Sequence, residues 1–180
     1  AIGLLLEATR DLPTTSVPVQ TPLQTTTGAV LAGRVGVVPI LRAGLGFIEP
    51  VLTLLPSAEI WHLGIYRNEE TLMPVTYYNK LDRATPPETV IVVDPMLATG
   101  GSAAATRDVV KGWGREQGHA PRQLKFACII SAPEGLAHLE ATHPDIPIFT
   151  AAVDTQLNQV GYILPGLGDA GDRLYNTTGA

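Results

Sequence analysis

Only one cysteine and three lysines occur among the 180 residues, and each scarcity removes a class of protein. The lone Cys128 sits in the apolar run Phe126-Ala127-Cys128-Ile129-Ile130, so no internal disulfide can form. It reads as a small buried hydrophobe in a reducing compartment. Charged residues make up just 16% and the formal net charge is -5. A protein that holds nucleic acid by neutralising many phosphates needs clustered Lys and Arg, so no nucleic-acid partner is expected. Long apolar runs are missing as well. Nothing approaches the roughly 20 residues that cross a bilayer, and Ala1-Ile2-Gly3 does not open a charged segment leading into a signal core. The expectation is a soluble, cytoplasmic protein with no membrane partner.

What is present is apolar: 45% of residues are hydrophobic, which excludes disorder and suits strands covered on both faces. The length supports one well-buried core, hence a single domain. Short β-branched runs alternate with helical segments, which points to an α/β fold with a mostly parallel central sheet flanked by helices. Strands are expected at residues 35–41, 89–93, 124–131 and 146–153. Residues 2–10, 102–112 and 134–143 have helical character, the last started by Pro133 and stopped near Pro144. Residues 59–66 and 74–81 read as two arms of a protruding β-hairpin around Arg67-Asn68-Glu69-Glu70, suited to cover a site or to contact a second copy. The segment 14–27, rich in Thr, Pro and Gln, reads as a loosely held surface connection. His138 and His143, five apart, are not a metal pair of the i, i+4 kind and are assigned to a surface face. Trp61 and His62 are placed in a strand and Trp113 in a helix, all for packing.

Chemistry concentrates in three blocks. In Val92-Val93-Asp94-Pro95-Met96-Leu97-Ala98-Thr99-Gly100-Gly101-Ser102, an apolar strand ends at an acid and turns through two glycines into a helix. Backbone N–H groups at that helix start, with the Thr99 and Ser102 hydroxyls, make an anion cradle that fits a phosphate monoester. Asp94 can accept from two neighbouring hydroxyls, as a ribose presents them. Taken alone, the segment is also what an ordinary strand-to-helix turn with a solvated aspartate looks like. No Lys precedes Ser102, so it is not a Walker loop. The second block, Val38-Pro39-Ile40-Leu41-Arg42-Ala43-Gly44-Leu45-Gly46, joins Arg67 in offering forked cations on loops, able to grip a diphosphate bidentately. Each Arg could equally sit in a surface ion pair. In the third, Gly161-Tyr162-Ile163-Leu164-Pro165-Gly166-Leu167-Gly168-Asp169-Ala170-Gly171, the spacing G-x-G-x-x-G occurs. Too few residues follow it for a dinucleotide-binding unit with its second strand and later acid.

Together these blocks resemble the uracil phosphoribosyltransferase family. Asp94 to Ser102 is similar to its loop for 5-phospho-α-D-ribose 1-diphosphate (PRPP), with Pro95 where most relatives that use other bases carry a second acid. The resemblance implies a phosphoribosyltransferase-type fold and conversion of uracil and PRPP to UMP and diphosphate, with Mg²⁺ carried in through PRPP. It implies PRPP contacts at Arg42, Arg67, Asp94, Pro95, Met96, Leu97, Ala98, Thr99, Gly100, Gly101, Ser102 and Asp169, and uracil contacts at Tyr162, Ile163, Gly168, Asp169 and Ala170. Asp94, Asp169 and Arg67 are the expected catalytic residues. A GTP effector and a homodimer or higher homo-oligomer are further implications, as is an N-terminal segment of a few tens of residues, usual in the family, ahead of Ala1. A transcription regulator that binds RNA on the same fold is the alternative, disfavoured by the negative charge.

Overall fold

The computed structural model describes residues 1–67, 73–81 and 85–177, except the side chain of Arg67. The chain opens with helix α1 (Ile2–Thr9), strands β1 (Thr14–Gln20), β2 (Thr25–Leu31) and β3 (Val35–Leu41), a 3-10 turn (Ala43–Phe47) and helix α2 (Ile48–Leu54). Strands β4 (Glu59–Ile60), β5 (Leu63–Arg67), β6 (Pro74–Asn79), β7 (Thr89–Val93) and β8 (Met96–Leu97) follow. Helix α3 (Gly101–Glu116), β9 (Gln123–Ser131), α4 (Pro133–Thr142), β10 (Ile148–Val153), β11 (Gln156–Leu157), β12 (Ile163–Leu164) and α5 (Ala170–Tyr175) complete it.

The main sheet runs β10-β9-β7-β3-β5-β6, with β4 added beside β3 and β8 beside β9. Every pairing in it is parallel except β5 with β6. Unbroken β-branched runs form the centre because both faces are covered. On one face Val90 and Val92 of β7 pack with Val38, Ile40, Phe126, Val110 and Trp113. On the other, Ile91 and Val93 pack with Val35, Val37, Leu5, Phe47 and Val51. Helices therefore lie on both sides, and no described helix is long and apolar enough to cross a membrane.

Five expectations need correction. Residues 14–27 are not a loose connection but belong to a two-stranded antiparallel ribbon that runs to residue 31, paired from Thr14 with Leu31 to Gln20 with Thr25. β-branched Thr and Val favour extended backbone, and Thr21 closes the turn by accepting from the N–H groups of Leu23 and Gln24. The ribbon does lie at the surface, as expected. The first arm of the long hairpin is split: β4 pairs with β3 rather than with β6. Trp61 and His62 fall in the break, where the Trp61 ring packs against that of Trp113, tilted by 55° with centroids 5.1 Å apart. That packing also carries α3 past Gly112, since Trp113 is buried. His143 is buried rather than on a surface face, while His138 is exposed as expected. The expected tip at residues 68–70 lies outside the described residues, and so does the side chain of Arg67.

One charge is buried in this core. Lys125 of β9 is 1% exposed; its Nζ donates to the Ala8 carbonyl at 2.9 Å and to the Asp11 carboxylate, tying α1 to the sheet. That bond holds the Asp11 carboxyl below its ordinary range. Removing only the partner of a buried charge costs more than removing the charge with it. Asp11→Ala should therefore lower unfolding stability by about 1–3 kcal/mol, and Lys125→Met by less than about 1 kcal/mol. Urea titration checks the order, and equal or reversed losses would contradict it.

Candidate active site

Three chain segments meet at the carboxyl ends of β3 and β7 and enclose a cavity of about 770 Å³. The first leaves β3 at Arg42 and enters the 3-10 turn, the Leu41–Arg42 peptide being cis. A side chain at Gly44 would meet the Val93 carbonyl at 2.6 Å. Only glycine lets this turn lie so close to the end of β7.

The second segment leaves β7 at Asp94. The Asp94 N–H donates to the Ala127 carbonyl of β9 at 3.1 Å, which fixes the residue at the strand end. Residues 96–97 pair briefly with β9, and the chain turns at Gly100 into α3. With φ of +82°, Gly100 adopts a backbone that side chains disfavour. Thr99, Gly100 and Ser102, at the start of α3, line the cavity, and the first N–H groups of a helix have no partner within it.

The third segment is the short hairpin of β11 and β12. Asn158 closes its tip, its Oδ1 accepting from the N–H groups of Val160 and Tyr162 at 3.0 and 2.9 Å. Asp154 accepts from Gly166 N–H at 3.0 Å, after the cis Leu164–Pro165 peptide. The chain then reaches Asp169, whose Oδ1 accepts from Asp172 N–H at 2.8 Å and caps α5.

Of the residues singled out in the sequence, Arg42, Asp94, Met96, Leu97, Ala98, Thr99, Gly100, Ser102, Tyr162, Ile163, Gly168, Asp169 and Ala170 all line this one cavity. Pro95 and Gly101 do not; they hold the turn whose neighbours do. Sequence reasoning missed Tyr66, Gln159 and Val160, which also line it, and it missed Asn158 and Asp154, although Asn and Asp between β-rich runs are turn signals. It also missed the partner of Arg42. The Arg42 Nη2 donates to Asp172 Oδ1 at 2.8 Å, and Tyr175 Oη donates to the Arg42 carbonyl at 3.2 Å. Arg42 is therefore in a surface ion pair while lining the cavity, and Asp172 raises its pKa. Cys128 is buried as expected, and burial pushes its thiol up to about 11, leaving it unreactive.

Asp94 carries the strongest electrostatic signature. It keeps some surface toward the cavity but is otherwise enclosed by protein, and desolvation raises its pKa to about 7. The N–H of Met96 donates to it and pulls the other way, while the charge of Asp169 pushes further up. Perturbed carboxyls in clefts are where chemistry tends to be found.

This sheet with its crossovers is the fold of the phosphoribosyltransferases: the adenine phosphoribosyltransferase of Rhodothermus marinus superposes with a TM-score of 0.54 at 19% identity, over 84% of this chain and 76% of that one. The structure of the AQ2163 protein from Aquifex aeolicus matches with a TM-score of 0.88 and 38% identity, covering 99% of this chain and 83% of that one. Residues 1–177 match the family model for uracil phosphoribosyltransferase. A protein of that name from Roseiflexus sp. (strain RS-1) is 55% identical over 174 residues, which is 97% of this chain and 81% of the relative. The chain belongs to the uracil phosphoribosyltransferase family.

The raised pKa of Asp94 sets a sign for stability against pH. A native state that holds a proton more tightly than the unfolded chain gains stability that is complete below pH about 4 and lost as pH climbs through about 7. Asp94→Asn removes a charge that is costly only in the upper range. Its melting temperature should match the parent at pH 4 and exceed it by about 3–8 °C at pH 8. A difference that does not grow with pH would contradict the burial of this carboxyl.

Proposed function

We propose that the chain catalyses transfer of the phosphoribosyl group of PRPP to uracil, giving UMP and diphosphate, the reaction of its family and a salvage of the free base. The observation that carries this reading is the meeting, around one cavity, of the Asp94 strand end, the helix start at Thr99 to Ser102 and the loop from Tyr162 to Ala170. The 5′-phosphate is assigned to the helix start, where N–H groups and hydroxyls converge without a lysine. Asp94 accepts from the ribose 2- and 3-hydroxyls, and binding of these donors favours its ionised form. Arg42 and Arg67 are assigned to the diphosphate, with Arg42 exchanging Asp172 for the ligand.

Uracil N1 forms its bond to the anomeric carbon while the carbon–oxygen bond to diphosphate breaks, the electron pair leaving with diphosphate and the N1 proton being released. Positive charge builds on the ribose ring, so catalysis consists of holding both partners in line and stabilising charge as it moves to the leaving group. Among the described residues no cluster of three or more His, Cys, Asp or Glu could hold a metal by itself. Two carboxylates, Asp94 and Asp169, do line the cavity, and the repulsion between them is what a cation would relieve. That donor set fits Mg²⁺, which takes one or two carboxylates and completes its shell with substrate phosphates and water. When bound, the ion would neutralise charge on the diphosphate.

The base is read by the loop. Ile163 is 2% exposed and lines the cavity; its side chain is assigned to packing and its backbone to the base. Uracil presents acceptor, donor, acceptor along one edge; backbone groups near Ile163, Gly168 and Ala170 are assigned the complementary donor, acceptor, donor. Cytosine reverses two of the three, leaving two mismatches of roughly 1–3 kcal/mol each.

Purified protein with PRPP, Mg²⁺ and each of uracil, cytosine, adenine, guanine and hypoxanthine should form UMP alone. kcat/KM for uracil should exceed that for cytosine by roughly 10² or more. Ile163→Ala should weaken uracil use while keeping this preference, and Asp94→Asn should lower kcat/KM for PRPP more than about tenfold. Equal use of cytosine, or a preference that collapses in Ile163→Ala, would overturn the backbone reading. Absence of UMP would overturn the function.

A further inference from the structure

Both substrate loops rest on the start of a helix that is itself outside the cavity. α4 begins at Pro133, directly after β9, and the Ala132 N–H donates to the Leu97 carbonyl at 2.9 Å. Gly135, buried in its first turn, lies against the phosphate loop so closely that a methyl group there would be 2.3 Å from the Ala98 carbonyl oxygen and 2.9 Å from that of Leu97. One turn on, His138 stands beside Gly100: a side chain at Gly100 would meet His138 Cδ2 at 3.0 Å and the Gly135 carbonyl at 2.9 Å. The neighbouring Glu134 turns the other way, its Oε1 accepting from the Leu157 N–H at 2.9 Å. Leu157 is paired across β11 and β12 with Ile163, which lines the base side of the cavity.

We propose that the first two turns of α4 are a shared seat that sets the distance between phosphate and base, with Gly135 and His138 as positioning residues for the phosphate loop and Glu134 as the positioning residue for the base loop. The inference rests on the transferase reading and deepens it. In-line transfer needs the anomeric carbon, fixed through the phosphate, and the base nitrogen to be held at near-contact distance, and misplacement by an ångström is costly. One rigid helix start that touches the backbone of one loop and bonds the backbone of the other supplies that spacing. None of the three residues touches substrate.

The test separates the two arms. PRPP binding is measured by calorimetry with Mg²⁺, and the uracil KM at saturating PRPP. Gly135→Ala should weaken PRPP binding about tenfold or more, because the carbonyls of residues 97 and 98 must move, and leave the uracil KM within about twofold. Should that variant fail to fold, His138→Ala, which adds no atom, should weaken PRPP binding about two- to fivefold. Glu134→Ala should do the reverse, raising the uracil KM about five- to tenfold with PRPP binding held within about twofold; Glu134→Gln, which keeps an acceptor for the Leu157 N–H, should return the KM to near the parent value. Equal weakening of both substrates by Glu134→Ala, no rescue by Gln, or undisturbed PRPP binding in both Gly135→Ala and His138→Ala would overturn the inference. A parent chain that makes no UMP would overturn the transferase reading and this inference with it; an active parent with the wrong pattern overturns this one alone.

Discussion

A carboxyl group fixed at the end of a strand that is buried on both faces is the constraint around which the rest is arranged. Asp94 cannot retreat to solvent, because β7 is held between β3 and β9 and its own N–H is bonded to β9. Desolvation lifts its pKa to about 7, so near neutrality the native state bears a charge that it accommodates poorly without a ligand. Groups that donate to the carboxylate, or a cation near it, relieve that cost when they arrive. Strain of this kind at a site is a known way for binding energy to become selective.

The loops around Asp94 are set by close backbone approach and by side-chain oxygens that accept from backbone N–H groups. Gly44 lets one loop touch the end of β7, Gly100 turns the second into α3, and Asn158 and Asp154 hold the third through N–H groups. These features bring the three loops together around one cavity at the carboxyl edge of a parallel sheet, the usual place for ligands in open α/β folds. The ion pair of Arg42 with Asp172 joins the first loop to α5, so the loops touch one another as well as the sheet.

What could be read from the sequence was local. The unbroken run ahead of Asp94, the double-glycine turn and the proline that opens α4 each declare themselves within about ten residues, and the strand at 35–41 was legible to the residue. The ribbon at residues 14–31 was not, since its Thr, Pro and Gln content resembles a loop unless the β-branched positions are counted as strand formers. Arg42 and Asp172 are 130 residues apart, and Glu134 reaches Leu157 across a strand and a turn. Such pairs carry no local spacing and appear only when the sheet has brought them together. The burial of His143 belongs with these, because a histidine near a helix end has no sequence mark of its own for depth.

The central claim, that one buried carboxyl at the end of β7 waits for hydroxyl donors, is tested most directly by following the Asp94 side-chain carbon by NMR through a pH titration, in the free protein and with PRPP and Mg²⁺. The account predicts a midpoint near 7 for the free protein and a clear fall on binding. A free midpoint near the ordinary carboxylate value of 3.8, unmoved by PRPP, would contradict it.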